Sequence, residues 1–326
     1  MNTSPFAIGL VLLLASCHPG LDSGAQGLVT PLHFAFVIHL EGHPSVTQVN
    51  HDQRVQAVQD ISAIFEEHDA LASWEVHDTI ASSRIFDDPY LADIQARGHG
   101  VGVHADLEAA SDDENFTLDD LVSTLETLRV SLESQGVTVR HVSGACSPLD
   151  WPSAVSQAGY AFYSGGVTYC LESLPPELRP LPLQQCPKPS ACHDPYPRAM
   201  WRRMHPWRAD PENWTQHDPS SDLVIMPAML NDLFALHEQT RDGYDGTGHY
   251  SLDEQDIVAL LGHIERASLR TNPKRLNTFV LQWSMGQDID EDLLHLLLES
   301  LEPYRADGRL VWSTMPGLYD AYLEWE

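Results

Sequence analysis

The chain has 326 residues, 43% of them hydrophobic, which is enough apolar material for one large α/β domain with a full core and too much for a disordered chain. Its formal net charge is −29, and Lys188 and Lys274 are its two lysines. So acidic a surface repels phosphate backbones and anionic headgroups, which argues against nucleic acid as a partner and fits a highly soluble or salt-adapted exterior.

In chain order, FAIGLVLLLAS (6–16) is an apolar run of signal-peptide length that ends in small residues. It is too short to span a bilayer comfortably. Leu14-Ala15-Ser16-Cys17 resembles the processing site of bacterial lipoproteins, although the preceding MNTSP lacks Lys and Arg. The resemblance implies a signal peptide over 1–16, lipidation of Cys17, and a protein held at the membrane of the cell envelope by its N-terminal lipid. Residues 17–30 then read as the lipidated cysteine and an aperiodic tether. Setting Cys17 aside leaves Cys146, Cys170, Cys186 and Cys192. An even number in an oxidising compartment predicts two disulfides, with three possible pairings. Cys186 with Cys192, across a Pro-rich loop, is the easiest closure, and Cys146 with Cys170 follows. A zinc site is the rival, but no CxxC spacing is present.

LHFAFVIHL (32–40) reads as a buried strand, and residues 53–68 place Val55, Val58, Ile61, Ile64 and Phe65 at helical spacing. ALASWEVH (70–77) is a second strand, LADIQARG (91–98) a second helix with a glycine stop, and HGVGVH (99–104) a third strand. Residues 117–136 form a helix opened by Thr117 with Asp120 three positions on. A fourth strand (139–145), helix (151–159) and fifth strand (160–166) follow. Residues 171–222 break the alternation and read as a disulfide-containing insertion. In it, Trp201, Trp207 and Trp214 could stack on sugars or be buried under the loop. Strands at 222–228, 277–285 and 309–314 then alternate with helices at 252–269, 290–307 and the C-terminal tail. Such alternation implies parallel strands with helical crossovers, and about eight strands predict a single (β/α) barrel domain over 31–326.

Functional groups in such barrels gather where strands end. His39, Glu41 and His43 stand at the end of the first strand and Glu75 and His77 at the second. His104 ends the third, with Asp106 and Glu108 following, and Arg140 and Ser143 lie at the fourth. His104 and Glu108, four residues apart, can reach one cation if the chain turns after the strand.

These motifs resemble the polysaccharide deacetylases, carbohydrate esterases of the chitin and peptidoglycan type. GHGVGVHADLE (98–108) is similar to the family's Gly-His-x-x-Gly-x-His strand with a further His four residues on. RHVSG (140–144) has the Arg and Gly spacing of the family's Arg-x-Pro-x-Gly, and VIHLEG (37–42) sits where an Asp-Asp-Gly strand end belongs. The C-terminal ADGRLVWSTMPGLYDAYLEW resembles the family's closing strand and helix. The resemblance implies a divalent metal, zinc first, held by Glu41, His104 and Glu108. It also marks departures: Leu40 stands at the general base, Val142 replaces the proline, and the late-strand acid falls near Gln282 or Trp283. His39, His43 and Glu75 are then the replacement proton carriers, with Arg140 as a further catalytic candidate.

Each assignment has a bland counterpart. A strand histidine is commonly hydrogen-bonded in a core, an acidic loop is commonly just solvated, and Arg140 could form a structural ion pair. The expected function is removal of acyl groups from a cell-surface or extracellular glycan. The alternatives are a catalytically degenerate barrel that binds glycan, and a glycoside hydrolase. The last needs two carboxylates about 5–10 Å apart across a groove, for which Glu41 and Glu75 are the obvious pair.

Overall fold

A computed structural model describes residues 30–40, 47–77, 85–107, 115–179, 204–228, 253–284 and 290–326. Cys17, Glu41, His43, Glu108, Cys186, Cys192 and Trp201 lie outside these residues. Among the described residues no helix is long and apolar enough to cross a membrane.

Among the described residues, nine strands form one sheet: β1 (Leu32–Leu40), β2 (Ala72–Val76), β3 (Gly100–His104), β4 (His141–Ser143), β5 (Phe162–Ser164), β6 (Trp207–Arg208), β7 (Val224–Met226), β8 (Thr278–Ser284) and β9 (Leu310–Ser313). The order is β6-β7-β5-β4-β3-β2-β1-β8, with β9 also on β1. All pairings are parallel except β6 with β7. The sheet is a half-barrel. Its two end strands are not paired with each other among the described residues, although the Thr278 N–H reaches the Met204 carbonyl at 2.8 Å. Strand β6, only two residues long in a Trp- and charge-rich stretch, has no period to betray it and was absent from the sequence reading.

Among the described residues, seven α-helices accompany the strands: α1 (Gln48–Glu67), α2 (Tyr90–Ala96), α3 (Leu118–Glu133), α4 (Trp151–Gln157), α5 (Glu254–Ser268), α6 (Glu291–Ala306) and α7 (Met315–Trp325). Their starts follow capping chemistry. Thr117 and Asp120 form the reciprocal box expected for α3, and Asp253 with Asp256 does the same for α5. Helix α1 begins five residues before the predicted 53, because the Thr47 hydroxyl accepts the Asn50 N–H and opens a polar first turn.

Period-two alternation sorts the strands' side chains into two cores. On the convex face, Phe34, Phe36, Ile38 and Leu40 of β1 join a large cluster with Ile64 and Phe65 of α1 and Leu294, Leu297 and Leu298 of α6. On the concave face, Ala35 and Val37 of β1, Phe162, Val224, Met226 and Val280 pack against Met315, Leu318, Tyr319 and Tyr322 of α7. Helix α7 is thus the floor of the half-barrel. It is seated there by the Met315 N–H, which donates to the Ser73 hydroxyl at 2.8 Å. Trp207 and Trp214 are buried, Trp207 donating to the Trp214 carbonyl and Trp214 to Ser173, so these two rings pack the loop layer. Cys146 and Cys170 form a disulfide, joining the loop after β4 to a 3-10 turn at Thr168–Ser173. Truncating the fully buried floor residue in Leu318→Ala is expected to cost about 2–5 kcal/mol, read as a lower urea midpoint. A change below about 0.5 kcal/mol would show that α7 does not close the concave core.

Candidate functional site

The alternation that makes the apolar floor also makes a polar cluster nearer the strands' C-terminal ends. On β1, His39 shares the concave side with Ala35 and Val37. Strand register sets His39 beside Glu75 and Glu75 beside Gly102. It sets His104 beside Ser143, with His141 one pleat earlier and beside Phe162. Three neighbouring strands therefore deliver an imidazole, a carboxylate and an imidazole.

Glu75 is the centre. Its side chain has no solvent exposure, and the two imidazoles divide its oxygens. His39 Nε2 lies 3.0 Å from Oε2, and His141 Nε2 lies 3.3 Å from Oε1. Both are ion-pair distances at off-line angles, and among the described residues neither Glu75 oxygen makes an aligned hydrogen bond. Burial alone would push the carboxyl up, but its contacts and electrostatic interactions with His141 and His39 outweigh that and hold it well below the usual carboxylate range. His39 and His104 stack with ring centroids 4.0 Å apart. Ser143 Oγ lies 2.8 Å from His104 Nδ1 and orients the ring.

One donor atom from each of His39, Glu75 and His104 falls within 4.8 Å of the others, a grouping that could hold a metal ion. Two imidazoles and one carboxylate suit a divalent transition metal. A buried carboxylate with no aligned hydrogen bond is also the kind of group a cation would satisfy.

Two glycines make room for this arrangement. A Cβ at Gly102 would overlap the His141 ring, so His141 reaches Glu75 only because the strand between them carries no side chain there. Gly144 has φ +64°, and a Cβ on it would meet the Asp106 N at 2.7 Å and the His104 ring at 3.0 Å.

Of the residues singled out from sequence, His39, Glu75 and His104 come together. The first two were expected to carry protons, and their donor atoms fall in the grouping that could hold a metal ion. Glu41, His43 and Glu108 lie outside the described residues. Arg140 is not at this cluster. It precedes β4, at the strand's opposite end, where it pairs with Asp320 at 2.7 Å and lies over the Tyr319 ring at 4.7 Å. His99 is tied into the framework, accepting the Ala72 N–H at 3.0 Å and meeting Glu66 at 3.0 Å. Gln282, in the late-strand acid's place, is buried against the backbone of Gly165. Ser143 stands at the strand end as expected, whereas His141 was missed as a site residue, although it sits inside the RHVSG motif. Counting alternate positions inward along the fourth strand, as for Glu75 and His77 on the second, would have marked it.

Because its folded pKa is depressed, Glu75 contributes stability above the ordinary glutamate value of about 4.3, and that stability is lost as pH falls through the lower folded value. Glu75→Ala is expected to lose about 3–5 kcal/mol at neutral pH, the range for breaking a buried pair. The gap between the wild-type and variant urea curves should narrow as pH falls below about 4. A gap that stays constant with pH would show that the charge is not what Glu75 contributes.

No protein-family model matches the sequence, and no curated protein matches it. Solved structures do match. A Mycobacterium smegmatis protein described as a candidate polysaccharide deacetylase superposes with TM-score 0.57 at 14% identity, over 94% of this chain and 95% of its own. A 4-alpha-glucanotransferase from Thermococcus litoralis gives 0.55 at 11% identity, over 90% of this chain and 40% of the larger enzyme. The allantoinase Puue gives 0.53 at 9% identity, over 90% of each chain. The chain therefore has a divergent polysaccharide-deacetylase-like fold.

Proposed function

We propose that this protein is an exported, lipid-anchored hydrolase that uses a divalent metal, zinc first, to remove acyl groups from an N-acetylated or otherwise acylated glycan. The observation that carries the reading is the convergence of His39, Glu75 and His104 donor atoms within 4.8 Å on the concave side of a deacetylase-like fold. A bound divalent ion there would polarise the acyl carbonyl and lower the pKa of a water.

The chain's own groups supply the rest. Ser143 fixes the His104 ring, and the stacked His39 ring stands on the side of Glu75 away from His141. His39 and His104 are both half-buried while Glu75 is sealed, so substrate approaches across the two imidazoles. His43, in the segment that follows β1, is the proposed proton carrier, because Gln282 offers an amide where the family resemblance expects an acid. The net charge of −29 favours a neutral or cationic glycan over a polyanionic one. Processing before Cys17 and lipidation of its thiol would place the protein at the cell envelope.

A glycan-binding barrel without chemistry is the alternative, favoured by one feature: Glu75 is already paired with two imidazoles, an arrangement that holds a buried carboxylate without metal. Metal analysis and acetate release from acetylated oligosaccharides separate the two. The hydrolase reading expects one divalent ion per chain and metal-dependent acetate release. In His104→Ala, both should fall by more than the roughly 10–100-fold that losing a mere supporting group costs. Glycan binding with neither metal nor acetate would replace it with the binding reading.

A further inference from the structure

We propose that His141, a residue outside the ligand grouping, is a positioning residue that turns Glu75 into a one-oxygen ligand by occupying Oε1 and leaving Oε2 toward His39 and His104. The inference rests on the metal-binding reading and deepens it.

The geometry is specific. Oε1 faces His141 Nε2 at 3.3 Å and Oε2 faces His39 Nε2 at 3.0 Å, so the two oxygens have different neighbours. Of the two imidazoles beside Glu75, His39 belongs to the three-residue grouping and His141 does not. A carboxylate free to rotate could offer a cation either oxygen or both, whereas one with an imidazole nitrogen packed 3.3 Å from Oε1 presents Oε2. His141 is itself immobilised. Its side chain has no solvent exposure, its ring stacks on Phe162 at 4.8 Å and 10°, and it covers the backbone of Gly102. Phe162 in turn stacks on Tyr319 of α7 at 4.9 Å. The floor of the half-barrel thus fixes the ring that fixes the carboxylate. A buried histidine aimed at a carboxylate across a glycine gap has no packing need for its ring nitrogens; phenylalanine would fill the same space against Phe162.

The test is zinc titration of the full chain by calorimetry, paired with the visible spectrum of the cobalt-substituted protein, which reports ligand number without any assay of activity. His141→Phe keeps the ring and removes Nε2. It is expected to weaken zinc binding about 10–100-fold, the usual loss for a group that supports a ligand, and to shift the cobalt spectrum. His141→Gln, which restores a donor, should recover most of the affinity. Should His141→Phe fail to fold, Gly102→Ala, whose methyl displaces the ring, is read in its place with the same expected loss. Wild-type zinc binding that His141→Phe leaves within about 2-fold, with an unchanged cobalt spectrum, would overturn the positioning role while the metal reading stands. A wild-type chain that binds neither ion would overturn both.

Discussion

The structure turns on one carboxylate kept from water. Moving an ionised carboxyl into a protein interior costs several kcal/mol even after relaxation, so Glu75 is tolerable only because positive or polarisable partners meet it there. The sheet supplies them by register alone. His39 comes from the strand on one side, and His141 arrives from two strands away on the other, across a strand that carries only Gly102 at that level. Replace any of these positions by an ordinary residue and the remaining groups lose their reason to be buried. The same pleat that aims Val37 and Phe162 at the apolar floor aims His39 and His141 toward this carboxylate, which is why the cluster and the concave core form one continuous packing unit.

That continuity bears on what the protein does. The fold is deacetylase-like, but two of the groups brought together stand elsewhere than the family's motifs lead one to expect. His104 holds the place its strand motif suggests, while its companions His39 and Glu75 lie on the first two strands, next to a leucine in the position of the general base. Among the described residues, the carboxylate that meets two imidazoles is Glu75, sealed within β2.

Much of the fold was legible in the sequence because it rests on local patterns. Strand β1 was read to its residue bounds from an unbroken apolar run, and the start of α3 followed from its capping residues. The pairing of Cys146 with Cys170 was among those expected. What escaped depends on contacts between distant strands. Strand β6 is too short to have a period. The partnership of Glu75 with His141 joins residues 66 positions apart, and nothing in RHVSG says that its histidine faces inward until the register is known. Arg140, one residue before that histidine, lies ahead of the strand and ends on Asp320 and Tyr319 of α7. The motif led to the right strand, and the register shows which of its side chains meets Glu75.

The most direct measurement is anomalous diffraction at the zinc edge from crystals of the full chain grown with zinc. The account predicts one strong peak among His39 Nε2, Glu75 Oε2 and His104, with His141 still against Glu75 Oε1. A map in which Glu75 remains paired with both imidazoles and zinc is found nowhere in the half-barrel would contradict it.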